Sequence, residues 1–421
     1  MKTEYDTIHT LNLEYFIASR LVTAKNHKSS ISAPIIKIAI IAIAIGIIMM
    51  VVAIATGVGL QDKIREKVSA FNGHIIITNF DDNQSDVSVE PVSVKQDFYP
   101  KFKTVKGINH IQAVASKAGM IRTAQSFEGI IFKGVGKDYK WDELQEYIVA
   151  GRIPNLKSKL NTEVILSQYL ANKLQLKVGD KFNTFFMKQG NNGMPNLRRF
   201  ELVGIYTSGF QEFDAAYMLG DIRHVQRMNK WAPEQVGGFE VFINDFSQLQ
   251  EKGEEVYKAI PSTLNSVTIQ EKYVNIFEWL KLFDVNIIVI MVIMIIVATI
   301  NMVVALLVLI LERTQMVGML KALGATNWSV RKIFLYNAAY LIIKGLFWGN
   351  FISISLLLIQ KYFGVITLRP ENYYVNVAPV TIDIPAILAI NAGTIIICLA
   401  LLLIPSYIIT KISPVKALRY E

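Results

Sequence analysis

The sequence holds one cysteine, Cys398. No intrachain disulfide can form, and a cysteine-built metal or thiol site is excluded by count. Charge is scarce as well: 18% of the 421 residues are Asp, Glu, Lys or Arg, against 52% hydrophobic. The scarcity is local. No charged residue occurs over 38–60, 285–311 or 384–410, and the only one over 333–360 is Lys344. Catalytic motifs are absent too. The five histidines (His9, His27, His74, His110, His224) are scattered, and no HExxH, GxSxG or GxxxxGK[ST] occurs. GVGKDYK (134–140) lacks the first glycine and the final hydroxyl residue of a P-loop. No active site of the chain's own is therefore expected. Internal repeats and low-complexity tracts are also missing.

What is present is apolar length. At 1.5 Å per residue each uncharged run can cross about 30 Å of hydrocarbon. The expected fold class is an α-helical membrane protein with four transmembrane helices and a large α+β extracytoplasmic domain between the first two. The expected order is an N-terminal segment 1–37 with an amphipathic helix, a first span 38–60, the large domain 61–283, a second span 284–311, and a connecting elbow 312–332. A third span 333–360, a short loop 361–383, a fourth span 384–410 and a tail 411–421 follow. The first span is preceded by 37 residues and is too long for the apolar core of a signal peptide.

Four spans put both termini on one side, and Lys and Arg near the spans decide which. Segment 1–37 carries five basic residues against three acids, the elbow four against Glu312, and the tail three against Glu421. These parts are expected on the cytoplasmic side of the membrane, with the large domain outside. The large domain has 28 basic and 26 acidic residues, a net of +2 out of the chain's +9. The basic balance thus reflects topology, and no basic–aromatic pattern points to nucleic acid.

Along the chain, LNLEYFIASRLVTAKN (11–26) sets Leu13, Phe16, Ile17 and Leu21 at helical spacing, as in a helix lying on the membrane face. Packing of that helix on protein is the alternative. GLQDKIREKVSAF continues the first span outward before Asn72–Gly73 turns the chain into the strand HIIIT. VNIFEWLKLF (274–283) leads straight into the second span. Between them, strands and helices alternate: EVILSQYLANKLQL (163–176) as a strand leading into a helix with Leu166, Leu170 and Leu174 on one face, KFNTFF paired with RRFELVGIYT, a helix over 219–229, and a strand over 239–245. Two subdomains are expected. KQGNNGMPN (188–196) is an exposed hairpin tip.

The most informative local stretch is ERTQMVGMLKALGATNWSVRKIF (312–334). Met316, Met319, Leu320 and Leu323 fall at i, i+3, i+4 and i+7, one apolar face. Glu312 is expected to lead the helix and suit its N-terminal dipole, Lys321 its last turn, Gly324 the position just past it, and Thr326 or Asn327 the cap of the next one. Such a short helix is either a docking knob or a plain connector.

ERTQMVGMLKALGAT resembles the coupling segment of permeases of the type VII ABC transporter group, which includes lipoprotein-releasing permeases, a macrolide exporter and the FtsX-like cell-division permease. The ending SPVKALRYE (413–421) and the one-plus-three span layout are similar to that group. GRIPN (151–155), EVILSQYLANKLQLKVGD and FELVGIYTSGFQEFDAAYMLGDIRHVQRM look like the lipoprotein-releasing branch. The resemblance implies a permease that extracts lipoproteins from the outer leaflet of the inner membrane and passes them to a periplasmic carrier. It implies a cytoplasmic ABC ATPase dimer as partner, binding ATP and magnesium, with no cofactor in this chain. It also implies a second permease subunit, this chain or a sister, with closure of the ATPases transmitted mechanically. A MacB-like exporter of small molecules or peptides, and an FtsX-like regulator of a cell-wall hydrolase, are the alternatives within the group.

Carried onto this sequence, Glu312, Arg313, Met316, Leu320, Leu323 and Gly324 would meet the ATPase. A hairpin at about 186–199, with Met194, Pro195, Arg198 and Arg199, would meet the carrier. Met49, Met50, Met291, Met294 and Met302 offer deformable apolar surface for acyl chains and membrane lipids. Lys344 lies 12 residues past Lys332, roughly 18 Å along a helix, at mid-membrane. It is expected to face protein or water, with Asn350 as a polar neighbour.

Overall fold

The computed structural model describes residues 13–23, 32–82, 85–124, 126–156, 160–187 and 195–413. Met194 and all but the first residue of the SPVKALRYE ending lie outside them. The chain divides into two compact units. One comprises 1–60, 280–366 and 377–421, the other 61–279 and 367–376.

The first unit is helical: α1 (Leu13–Thr23), the start of α2 (Ser32–Asn72), most of α3 (Val274–Glu312), α4 (Thr314–Ala322), α5 (Asn327–Phe363) and α6 (Ile384–Ser406). Four of these helices are long and apolar enough to cross a membrane. In the most apolar stretches of α3 and α6 only 17% and 22% of residues are buried, so these helices need a lipid or protein environment. The core gathers Ile43, Ile47, Met50, Met302, Leu306, Phe334, Ala338 and Leu341. Two glycines set its tightest contact. A Cβ on Gly345 would lie 2.6 Å from Ile43 Cγ2, and one on Gly349 2.8 Å from Ile47 Cβ. This small-xxx-small stripe lets α5 close on α2. The α1 helix packs along α5, with Glu14 accepting from Ser329 Oγ at 2.9 Å and Tyr15 edge-on to Tyr336. Its Ala18 is buried while Phe16 remains exposed. The helix thus packs on protein through one side and leaves Tyr15 and Phe16 exposed on the other.

The second unit carries a ten-stranded sheet that runs through it. Its strands are β1 (Ile75–Asn79), β2 (Ile108–Arg122), β3 (Phe127–Val135), β4 (Ile148–Gly151), β5 (Glu163–Ser167), β6 (Lys181–Phe186), β7 (Asn196–Tyr206), β8 (Tyr217–Asp221), β9 (Gly238–Ile243) and β10 (Leu264–Thr268). The order is β10-β1-β9-β2-β3-β8-β5-β7-β4, and β6 pairs with both β2 and β7. That double pairing closes β2-β3-β8-β5-β7-β6 into a ring, which removes free edges. Phe132, Phe186 and Phe200, each at most 1% exposed, pack together within it. The segment 219–229, expected as helix, is split. Leu219–Asp221 belongs to β8, and the helix runs over Arg223–Asn229. Leu219 and Gly220 pair with Lys133 and Gly134 of β3, and this pairing overrides local helix pattern.

α2 ends at Asn72 because Gly73 takes φ +68, and its amide donates to Ser69 O at 2.7 Å. A Cβ at Gly73 would also meet Glu240 Cβ at 3.0 Å. The turn read at Asn72–Gly73 is thus a backbone requirement as well as a packing one.

Candidate functional site

The elbow is a complete helix–turn–helix stop and start. α3 ends at Glu312, where Thr314 Oγ1 donates to Leu311 O at 2.7 Å. After α4, Ala325 N donates to Leu320 O and Gly324 N to Lys321 O, with Gly324 at φ +93. This is the paired bond pattern of a Schellman stop. Nothing lies within 4 Å of a Cβ built on Gly324, so φ alone demands glycine there. Thr326 then caps α5, accepting from Ser329 N at 3.2 Å.

The apolar face of α4 divides. Val317 and Gly318 are buried, and Met316 and Leu320 pack against the helical core. Met319 and Leu323 point outward, 53% and 84% exposed, beside exposed Glu312, Arg313 and Gly324. Two of the four periodic residues therefore anchor the helix and two are left for contact. Two cations, one on α4 and one on α5, fix the elbow further. Lys321 Nζ donates to Ile409 O at 2.6 Å and Ile412 O at 2.9 Å. Arg331 donates to Ser406 Oγ at 3.0 Å and Leu403 O at 2.8 Å, and lies over the Trp328 ring. Both grip the carbonyl end of α6 and the turn after it, where cations suit the helix dipole. Sequence spacing did not reveal these links, because the partners lie 72 to 91 residues away.

Deeper in the bundle, Asn350 pairs with Asn391 of α6, not with Lys344. The two amides exchange bonds of 2.8 and 3.1 Å. Six residues along a helix is 240° of rotation, so Lys344 and Asn350 cannot share a face. Lys344 is exposed on α5, its ammonium 4.5 Å from the centre of the Tyr340 ring. A charge at mid-membrane costs at least about 2.5–3.5 kcal/mol. A cation–π contact returns only about 0.5–2 kcal/mol.

The methionines separate as well. Met50 and Met302 are 1% and 0% exposed and belong to the helical core. In this conformation they offer no surface to an acyl chain. Met49 is exposed, and Met291 and Met294 are half-buried.

In the second unit, β6 and β7 form the expected hairpin, registered from Lys181↔Glu201 to Phe186↔Asn196. The hairpin is held in the sheet through β2, which pairs with β6 from Arg122↔Asn183 to Gly119↔Phe186. Met187 is 80% exposed, Pro195 and Arg199 are exposed, and Arg198 is half-buried. Direct pairing sets Met120, Phe185 and Leu197 side by side on one face.

A second constellation surrounds the end of α2. Lys133 is buried and donates to Phe71 O and to Glu240 Oε1. Gln112 Nε2 donates to Glu240 Oε2 at 2.8 Å. Burial pushes the Lys133 pKa down, while Glu240 opposes that shift. Tyr273, just before α3, donates from its hydroxyl to Asn72 Oδ1 at 2.9 Å. One turn back on α2, Lys67 Nζ donates to Ser208 O at 2.9 Å and to Tyr374 O at 2.8 Å. Burial brings the Lys67 pKa down to about 8, with Lys63 acting in the same direction. Tyr374 stacks on Phe210 at 4.6 Å. Asp214 closes the TSGFQEFD turn, accepting from Ser208 N, Ser208 Oγ and Gly209 N at 2.8–3.1 Å. The stretch FELVGIYTSGFQEFD thus ends in a knot that holds α2 and residues 367–376 together. Among the described residues, no group of three His, Cys, Asp or Glu is placed to hold a metal.

Residues 38–255 match the family of the MacB-like periplasmic core domain, and residues 288–414 match the FtsX-like permease C-terminal family. The chain is 24% identical over 436 residues to the lipoprotein-releasing system transmembrane protein LolC of Neisseria meningitidis, covering 97% of this chain and all of that one. The corresponding LolC of Haemophilus influenzae is 21% identical, and LolE of the same organism 20%. Each of those alignments covers 97% of this chain and 99% of the relative.

Proposed function

We infer function from membership: the chain belongs to the family of the MacB-like periplasmic core domain, carries an FtsX-like permease C-terminal region, and is a full-length relative of the lipoprotein-releasing transmembrane proteins. It is the permease subunit of an ABC transporter that extracts lipoproteins from the outer leaflet of the inner membrane. A separate ATPase dimer on the cytoplasmic side binds ATP and magnesium and supplies the work. The observation that carries this reading is the 97% coverage by relatives named for lipoprotein release.

The chain's own residues suit the task. Met319 and Leu323, flanked by Glu312 and Arg313, form the ATPase contact, while Val317, Leu320 and Lys321 keep that contact rigid on the bundle. α2 runs unbroken from Ser32 to Asn72 and α3 from Val274 to Glu312, so an axial displacement has no flexible linker in which to dissipate. The clamp of Lys133 on Phe71 O and of Tyr273 on Asn72 binds the far ends of the two helices. The termini and elbow are cytoplasmic, in keeping with the basic excess near them. The β6–β7 hairpin, with Met187, Pro195, Arg198 and Arg199, is the contact for a periplasmic carrier. Shielded hand-over is needed because each acyl methylene exposed to water costs about 0.8 kcal/mol.

Depletion of the protein, followed by separation of inner and outer membranes, tests the reading. Mature lipoproteins should accumulate in the inner membrane fraction. An unchanged distribution would refute release and leave small-molecule export or hydrolase control. Replacing Leu323 with Glu should uncouple the ATPase while the permease remains folded and membrane-inserted.

A further inference from the structure

α5 has two unlike faces. Gly345 and Gly349 close on α2, leaving no room for a Cβ. About 100° round the helix stands Lys344, among outward-facing Ile343, Phe347, Trp348 and Phe351, which are 52–64% exposed. Trp348 sits edge-on to Phe347 and to Phe351, at 5.7 and 6.1 Å. The ammonium leans one turn toward the elbow, onto Tyr340. Even at Tyr340 it is still about 12 Å along the helix from Lys332, too far to reach the interface. A lipid phosphate cannot meet it at that depth.

The sequence narrows what can. Residues 38–60, 285–311, 333–360 and 384–410 contain no Asp or Glu. A second copy of this chain therefore has no carboxylate to present at mid-membrane. Intramembrane cations pair with acids or line polar paths. A rigid aromatic surface around a single cation has the make-up of a docking centre.

We propose that the Lys344–Phe347–Phe351 face of α5 binds a membrane-spanning helix of a different polypeptide, one that carries an Asp or Glu opposite Lys344. The charge fixes the depth and identity of the partner, and the aromatic residues supply contact area. This inference rests on α5 crossing the membrane and not on the substrate released, so it stands or falls separately from the functional proposal.

The test places the photoreactive residue p-benzoylphenylalanine at Phe351 in the full-length protein, in its native membrane. After irradiation, adducts are separated and identified by mass. The expected adduct joins this chain to another that bears an acid in its span. Its yield should fall at least tenfold in Lys344→Met and persist in Lys344→Arg. Exchanging the charges, Lys344→Glu with the partner's acid changed to Lys, should restore it. Lys344→Met adds no bulk and removes a charge from the membrane, so insertion is not at risk, and monodispersity of the purified variant checks it. Adducts with this same chain alone, with lipid alone, none at all, or a yield indifferent to Lys344→Met would each overturn the proposal.

Discussion

The two units bury polar groups by different rules. The sheet unit buries a full ion pair, Lys133–Glu240, with side-chain exposures of 5% and 4%. Both partners of that pair are further bonded: the ammonium donates to Phe71 O as well as to Glu240, and Gln112 donates to the carboxylate. The helical unit encloses neutral pairs instead, Asn350 with Asn391 half-buried and Thr299 beside Cys398 buried. Its one mid-span cation, Lys344, is left on the outside. A sheet has strands from distant sequence to build a cage around a charge. A helix in lipid already satisfies its backbone, and its side chains find only what the next helix offers. The comparison predicts that the same kind of deletion will cost much in one unit and little in the other.

The largest effect should come from Lys133→Met. It leaves Glu240 buried without its cation and frees the carbonyl at the end of α2. Breaking a buried pair costs about 3–5 kcal/mol. Thermal unfolding of the full-length protein in detergent should show a large drop in Tm. The double change Lys133→Met with Glu240→Leu should recover most of the loss, because no charge is then stranded. No recovery would mean that the bond to Phe71 O, and not the ion pair, holds the joint.

Next comes a pH effect confined to the sheet unit. His74 is pushed down to about 4, by burial first. Its Nδ1 accepts from Ile243 N at 3.1 Å, and the rings of Phe242 and Phe246 stand edge-on to it. The folded state therefore refuses a proton that the unfolded chain accepts near pH 6.5. Stability contributed by this group is present above pH 6.5 and is lost as pH falls toward 4. Linkage over that window amounts to about 3 kcal/mol at most. His74→Gln keeps an acceptor but cannot titrate, so it should flatten the acid limb of a stability–pH profile. An unchanged slope would place the proton uptake elsewhere.

The helical unit responds to volume before polarity. Gly345→Leu adds a side chain where even a Cβ would lie 2.6 Å from Ile43. Overpacking of this kind costs about 1–3 kcal/mol. The loss should appear as a lower Tm of the whole protein in nanodiscs, with α5 displaced from α2. Full rescue by Ile43→Ala would show that the clash, and not the lost glycine flexibility, is responsible.

Local and distant signals separate cleanly in what the sequence disclosed. The Gly324 stop and the Thr326 cap involve neighbours within five residues, so spacing alone located them. The outward continuation of the first span was legible to about Ala70, two residues short of its end at Asn72, because nothing breaks the helix before Gly73. Periodicity could not say which half of the α4 face turns inward. In the structure Met316 packs against the helical core beside buried Val317, and Met319 points outward. The Lys133–Glu240 pair is separated by 107 residues, and Lys67 meets Tyr374 across 307. Such contacts follow from strand order and leave no local pattern. The mistaken pairing of Lys344 with Asn350 came from counting distance along the helix and not angle around it.

The smallest effect should be the most telling. Asn350→Leu removes an amide that exchanges two bonds with Asn391 and also donates to Leu346 O at 2.7 Å. In the sheet unit a comparable orphan would face desolvation with nothing in return. Between membrane helices, interhelical hydrogen bonds average only about 0.6 kcal/mol, because the stranded partner finds its own helix backbone. Asn391 is already placed for this, since its Nδ2 donates to Ile387 O at 2.8 Å. Asn350→Leu should therefore lower Tm by only a degree or two. A loss comparable to that of Lys133→Met would show that the amide pair sits in a polar path through the bundle and is not simply packed between two helices. That outcome would dissolve the contrast between the units and make α5 and α6, not α2 and α3, the helices to examine for movement.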